Sequence, residues 1–294
     1  MINEAGVGES EQPRDVAAAR RLLVRRLQAA GVPSPEADAV LLLEGALGVD
    51  RATLLLQPDR PVGQEAGARL AEMLRRRVAR EPLQLILGRA HFYGLELAVT
   101  PGVLIPRPET ERLVELVLTE TRRTATEEPT LLDVGTGSGA IALALQAEWP
   151  AATVWGTDVS HEAVALARRN AAELQLPVRF RLSDLLADPD VAHVAARCTA
   201  LVSNPPYLPE ADRARLPPEV QADPGTALFA GSDGLTVARR LARQAGRILP
   251  GGALLALELD PRNVRAFAGS LVGWKDVRVE EDLVGRQRFV LARR

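Results

Sequence analysis

Asn204-Pro205-Pro206-Tyr207 is a short stretch in which residue type and order already define a chemistry. Two adjacent prolines stiffen the backbone and supply no N–H of their own. The Asn204 side-chain oxygen and the Pro205 carbonyl can therefore both accept from one planar NH2 group. That is a clamp for an amide or an arylamine. An amide nitrogen is a poor nucleophile because its lone pair is delocalised into the carbonyl. Two fixed acceptors orient both hydrogens and favour a pyramidal nitrogen as positive charge develops during an in-line displacement. No strong base is required, since the alkylated, protonated amide sheds its proton readily. Tyr207 is expected to pack over the planar group and exclude water, which makes Asn204, Pro205 and Tyr207 the candidate catalytic residues and Asn204 to Tyr207 the candidate acceptor site.

A second constellation lies upstream. Asp133-Val134-Gly135-Thr136-Gly137-Ser138-Gly139 follows an apolar run and precedes a helical pattern, where glycines let the backbone turn tightly and approach a ligand. Gly135, Gly137 and Ala140 also satisfy a dinucleotide-binding pattern. Asp158, 19 residues beyond Gly139, suits the hydroxyls of a ribose in either case. Asp133 separates the two readings. Its negative charge would repel a pyrophosphate and attract the ammonium and sulfonium of S-adenosylmethionine. Asp184 is then placed to accept from an adenine amino group, with Leu185 giving backbone polarity or apolar cover.

These loops need a scaffold that brings them together. From Thr130 the sequence alternates strand and helix: strands at 131–134, 153–157, 178–181, 200–203 and 253–258, and helices at 140–148, 162–174 and 235–248. Strands at 277–280 and 288–291 close the series. Such alternation predicts an α/β fold, a mostly parallel sheet with helices on both faces, whose ligands gather at the carboxyl ends of strands where the strand order reverses. Upstream, apolar residues recur at helical spacing in four segments: Val16 to Leu27, a second from Ser34-Pro35 to Gly48, a third over 51–56 and a fourth over 64–80. In the last, Leu70, Met73, Leu74 and Val78 form the apolar face, with Arg75, Arg76, Arg77 and Arg80 mostly off it and solvated. The predicted organisation is a disordered acidic tail (1–13), a helical domain (14–81), a linking β-hairpin (82–100) and a catalytic domain (101–294).

Composition restricts the function. A net charge of −2 and a pI near 6.0 give no global field to gather nucleic acid, and 3% aromatic residues argue against a base-stacking platform. Arginine makes up all but one of the basic residues, Lys275 being the exception, which reads as codon bias rather than as a binding device. One cysteine, Cys198, and three scattered histidines predict no internal disulfide and no metal site. The absence of a signal region or a long apolar run predicts a cytoplasmic protein without a membrane partner. A methyltransferase for the exocyclic amine of adenine or guanine in nucleic acid is the competing reading, because the same clamp suits an extruded base.

Taken with Leu104-Ile105-Pro106-Arg107-Pro108-Glu109-Thr110-Glu111, Pro218-Glu219-Val220, Ala227-Leu228 and Asp233-Gly234-Leu235, the two constellations resemble the HemK-type glutamine methyltransferases that modify peptide chain release factors. The resemblance covers roughly Pro82 onward, with the helical segment also fitting. It implies a class I S-adenosylmethionine-dependent methyltransferase fold, Rossmann-like with a seven-stranded sheet. It also implies that Gly135 to Gly139, Asp158, Leu185 and Asn204 contact the cofactor, which leaves as S-adenosylhomocysteine. Asn204 to Tyr207 would hold the substrate glutamine of a Gly-Gly-Gln motif, and the helical domain would contact the release factor; the enzyme is expected to be a monomer with no direct nucleic acid partner. Relatives acting on a ribosomal-protein glutamine usually carry Ser-Pro where this chain has Pro108-Glu109, so the release-factor branch is favoured. Two positions depart from the pattern. Glu258-Leu259-Asp260 with Asn263 stands where Glu-x-Gly followed by glutamine is common, and Asp223-Pro224 stands for Glu-Pro.

Overall fold

Leu131 and Leu132 are adjacent and both fully buried, yet they belong to two different apolar clusters. Successive side chains of a strand point to opposite faces, so a strand buried on both sides must be apolar at consecutive positions. The same split separates Leu254 from Leu255. It places a sheet between two helical layers.

The structure is a computed structural model that describes residues 13–124 and 127–294. The disordered tail expected over 1–13 thus lies outside the described residues but for Pro13. The chain divides into two units, one running to Gly88 and including Pro218–Ala222, the other formed by Arg89–Pro217 and Asp223–Arg294.

The first unit is helical: α1 (Val16–Ala29), α2 (Pro35–Leu47), α3 (Arg51–Leu56), α4 (Gln64–Val78) and α5 (Leu83–Leu87), with the single turn Pro218–Gln221. Asp15 caps α1 by accepting from the Ala18 amide at 2.7 Å, and Pro35 opens α2, which Gly48 ends in the left-handed region. Leu23, Leu27, Leu42, Leu43 and Leu70 fill the core. Two expectations fail here. Residues 83–87 are helical rather than part of a hairpin, because Leu83 and Ile86 turn together into this core, and five residues are too few to show a period. On α4 it is Arg77 that is buried, while Val78 is 40% exposed. Arg77 continues the row Leu70, Met73, Leu74 at helical spacing. Its charge is met by Asp38 at 2.7 Å, Glu219 at 2.9 Å and the Glu81 carbonyl at 3.0 Å. Arg80 also binds Glu219, and chiefly through that bond holds its carboxyl down at about 2. The solvated arginine face is therefore limited to part of the segment.

The second unit begins with a hairpin, β1 (Arg89–Phe92) against β2 (Leu95–Ala98). Tyr93 and Gly94 both have positive φ, the backbone that a tight two-residue hairpin turn requires. A single 3-10 turn, Pro108–Thr110, leads into α6 (Glu111–Arg122). There follow β3 (Thr130–Val134), α7 (Ala140–Glu148), β4 (Thr153–Asp158), α8 (His161–Glu173), β5 (Arg179–Leu182), α9 (Pro189–Ala195) and β6 (Ala200–Ser203). Beyond the turn Pro218–Gln221, counted as α10, come α11 (Gly225–Leu228), α12 (Thr236–Ile248), β7 (Leu254–Glu258), α13 (Val264–Gly269), β8 (Lys275–Glu281) and β9 (Gln287–Arg293). The seven-stranded sheet has the order β5-β4-β3-β6-β7-β9-β8, parallel except where β9 pairs antiparallel with both β7 and β8. Residues of α6, α7 and α8 cover one face, and residues of α9, α12 and α13 cover the other. Strand order reverses between β3 and β6, the crevice in which such sheets bind ligands.

Candidate active site

The glycine loop leaves β3 and folds back on β4. The amides of Gly135 and Thr136 both donate to the Thr157 carbonyl at 2.8 Å, and the Gly137 amide donates to Asp158 Oδ2 at 2.9 Å. Gly135, Gly137 and Gly139 all have positive φ, a conformation that costs other residues roughly 1–2 kcal/mol. A Cβ on Gly139 would press on Leu143, Ala167 and Phe180 at 3.1–3.2 Å, whereas one on Gly137 would meet only Val103, at 4.0 Å. Gly139 therefore lets the loop pack, and Gly135 and Gly137 keep its other side open.

Two carboxylates frame the loop. Asp158 accepts from Gly137 through one oxygen and from the Ser160 amide through the other, at 2.9 Å each, and each oxygen keeps a further lone pair able to accept. Asp133 is fully buried; Thr136 Oγ1 donates to its Oδ2 at 2.6 Å. Among the described residues its Oδ1 has no partner. Burial pushes the Asp133 carboxyl up to about 7, against the Thr136 hydroxyl that favours its charged form. An orphaned buried carboxylate oxygen beside an open glycine cradle fits a ligand that carries positive charge, as S-adenosylmethionine does. Ser138 is buried, and its carbonyl accepts from Asn170 at 2.9 Å. Asn170 also exchanges two hydrogen bonds with the backbone of Ala98, tying β2 to the loop. Asp184 is exposed and ion-paired with Arg240, so it is not brought to the loop by its own contacts. Leu185 beside it has a positive φ and packs against the α12 layer.

Across the crevice, Asn204 follows β6. Its Nδ2 donates to Thr110 Oγ1 at 3.0 Å, and Thr110 Oγ1 donates to Glu258 Oε2 at 2.7 Å. A hydroxyl has one hydrogen. With that hydrogen committed to the carboxylate, Thr110 can only accept from Asn204, and the NH2 end of the Asn204 amide must face it. Asn204 Oδ1 is left as an acceptor. Glu258 ends β7 and is 1% exposed; burial pushes it up to about 7, against the Thr110 hydrogen bond and the Arg288 charge 4.0 Å away. Burial likewise raises the Tyr207 phenol.

The residues around the tetrapeptide explain the two departures. The Tyr207 carbonyl accepts from Asn263 Nδ2 at 3.1 Å, so Asn263 holds the loop in spite of the altered sequence. Gly234, at φ +73, lies so close that a Cβ would stand 2.1 Å from that carbonyl oxygen. Asp223 is buried, ion-paired with Arg107 and accepts from the Ile105 amide at 3.3 Å. The shorter carboxylate thus fastens the 105–108 segment, which in turn sets Thr110. Thr110, Asn170, Glu258 and Asn263 were not singled out as site residues from sequence. Thr110, within Leu104 to Glu111, and Glu258 and Asn263, at a departure from the family pattern, stood in motifs without an assigned role, and Asn170 carried no signal.

A sheet in this order, with the glycine loop and Asn204 on either side of its reversal point, is that of a class I methyltransferase. Residues 18–88 match the PrmC N-terminal domain model, and residues 110–243 match the methyltransferase small domain model. The release factor glutamine methyltransferase of Deinococcus radiodurans is 51% identical over 272 residues, covering 92% of this chain and 95% of that one. Its counterpart in Koribacter versatilis is 39% identical with the same coverage. The chain belongs to the release factor glutamine methyltransferase family. Its fold is also that of the hMettl16 catalytic domain solved with a MAT2A 3'UTR hairpin, at TM-score 0.55, 17% identity and coverage of 78% of this chain and 80% of that one. Among the described residues no helix is long and apolar enough to cross a membrane, and no group of three or more His, Cys, Asp or Glu residues could hold a metal ion.

Proposed function

We propose that this chain methylates the side-chain amide nitrogen of the glutamine in the Gly-Gly-Gln motif of peptide chain release factors, in the cytoplasm and as a monomer. The observation that carries the reading is the Asn204 amide, fixed by Thr110 with its oxygen free to accept. Family membership and the names of the relatives support the same substrate.

S-adenosylmethionine supplies an activated methyl group and leaves as S-adenosylhomocysteine. Asp133 and Gly135 to Gly139 would hold its amino acid end, Asp158 its ribose hydroxyls, and Leu185 with Asp184 its adenine, where Asp184 must exchange Arg240 for the base. Asn204 Oδ1 and the Pro205 carbonyl accept the two hydrogens of the glutamine amide. They aim its nitrogen and stabilise the charge that forms there. Pro206 keeps the pair rigid, and Tyr207 covers the planar group. The helical unit, residues 14–88, is the surface proposed to meet the release factor.

Competition for labelled methyl donor among a release factor, a ribosomal protein, tRNA, ribosomal RNA and duplex DNA tests this directly, followed by mapping of the modified residue. Label on the Gly-Gly-Gln glutamine is expected. Label on nucleic acid alone, or on a ribosomal-protein glutamine in preference, would overturn it.

A further inference from the structure

Asn204 Oδ1 is useful as an acceptor only while the amide stays in one of its two possible orientations. Rotation by half a turn would present NH2 to the substrate amide, donor against donor. Asn204 itself has nothing within its own loop to prevent this. The restraint comes from residues distant in sequence: Thr110, 94 positions earlier, and Glu258, which lies 148 positions beyond Thr110. Both are buried, at 4% and 1% exposure.

We propose that Thr110 and Glu258 form a proton-directed relay that sets the orientation of the Asn204 amide, making both of them positioning residues for the acceptor nitrogen. With Glu258 ionised, it can only accept, so Thr110 donates to it and accepts from Asn204 Nδ2. With Glu258 protonated, the carboxylic acid can donate to Thr110 Oγ1. The Thr110 hydrogen is then released to donate toward Asn204, and the orientation that presents Nδ2 outward becomes equally well satisfied. Ionised Glu258 thus selects the productive amide, and neutral Glu258 removes the selection.

The groups facing Glu258 are consistent with a carboxyl that changes state in the working range. Arg288 on β9 stands 4.0 Å away but is shared with Asp282 at 3.3 Å. The Thr110 hydroxyl and Tyr207 favour the ionised form, Glu109 opposes it, and burial opposes it most strongly, bringing the group to about 7. Asp260, two residues beyond Glu258 and ion-paired with Arg262, adds negative charge near Tyr207. At saturating S-adenosylmethionine, where any pH dependence that Asp133 gives to donor binding is removed, acceptor use should therefore fall as pH drops through this value.

The relay rests on the proposed glutamine acceptor, and one set of assays on the full chain separates the two. Methyl transfer to a release factor is measured from pH 6 to 8.5 for wild type, Thr110→Val, Thr110→Ser and Glu258→Gln, with S-adenosylhomocysteine affinity as the control for folding. Thr110→Val should lower kcat/KM for the acceptor by about tenfold to a hundredfold while sparing S-adenosylhomocysteine binding, and Thr110→Ser, which keeps the hydroxyl, should restore most of it. Glu258→Gln should be slow and should lose the acid limb that wild type shows. No transfer by wild type overturns the acceptor reading. Equal transfer by wild type and Thr110→Val, equal impairment of Thr110→Ser and Thr110→Val, or an unchanged acid limb in Glu258→Gln overturns the relay alone.

Discussion

The Ser203 hydroxyl donates to the Val134 carbonyl at 2.5 Å, joining the last residue of β6 to the last residue of β3. Those two strands flank the reversal point, and each feeds one half of the site: Val134 runs into the glycine loop and Ser203 into Asn204. The bond is buried, with Ser203 1% exposed, so water offers no substitute partner. It extends the β3–β6 ladder by one bond at the point where the two loops diverge. Ser203→Ala should cost about 1 kcal/mol of stability. Because both loops lose the same anchor, it should also raise KM for S-adenosylmethionine and for the release factor together. Urea unfolding and initial rates on the full chain measure this; a rise in only one of the two KM values would show that the bond supports a single loop.

Asp133 gives the protein a pH-dependent stability. Burial holds its carboxyl at about 7, above the ordinary 3.8. A carboxyl raised in this way contributes stability that is fully present below its unfolded value and is lost as pH rises through its folded value. Between pH 6 and 8 the loss from this one group is about 1 kcal/mol. The ligand-free protein should accordingly unfold at lower urea at pH 8 than at pH 6, and Asp133→Asn, which cannot ionise, should show a shallower dependence. If the variant retained the full slope, the dependence would arise elsewhere.

The two loops were legible in sequence for different reasons from the residues that hold them. Gly135, Gly137 and Gly139 sit between a strand and a helix whose periods are long enough to read, and the paired prolines 205 and 206 announce a fixed backbone. β6 and α7 have the bounds their apolar runs suggest. The chain from Asn204 through Thr110 to Glu258 could not be read as a chain, since each link joins residues that only the fold brings together. The short helices α5, α9 and α11 are less than two turns long and were not read, although α3, of six residues, was read at 51–56. Arg77 misled for a related reason. An arginine among arginines reads as solvated, and only Asp38 and Glu219 show that this one is neutralised inside the core.

Arg77 should be the most sensitive of the α4 arginines. Its removal leaves Asp38, 8% exposed, without the guanidinium that balances it, while Glu219 still has Arg80. Breaking a buried pair from one side costs about 3–5 kcal/mol. Arg77→Ala should thus destabilise the helical unit by that order, whereas Arg75→Ala, whose pair with Glu72 is exposed on both sides, should leave it nearly unchanged. Hydrogen exchange of amides in α2 and α4 reports on this unit separately from the sheet. Comparable exchange in the two variants would mean that Asp38 is satisfied by another route.

Gly234 and Gly137 should separate the acceptor site from the cofactor site. At Gly234 a Cβ would fall 2.1 Å from the Tyr207 carbonyl oxygen, which cannot be accommodated without moving the backbone of the clamp. At Gly137 the space is open, and only the φ of +56 is unfavourable for alanine, an effect of roughly 1–2 kcal/mol. Gly234→Ala should therefore lower kcat for release factor methylation by about a hundredfold and leave the affinity for S-adenosylhomocysteine within about threefold of wild type. Gly137→Ala should do the reverse, weakening S-adenosylhomocysteine by about tenfold, as its loop strain implies, while kcat at saturating donor falls much less. Calorimetric titration with S-adenosylhomocysteine and saturation kinetics with the release factor give both numbers for each variant. Parallel losses in the two assays for Gly234→Ala would mean that the Tyr207 backbone also shapes the cofactor pocket, and the division of the crevice into a donor side and an acceptor side would have to be withdrawn.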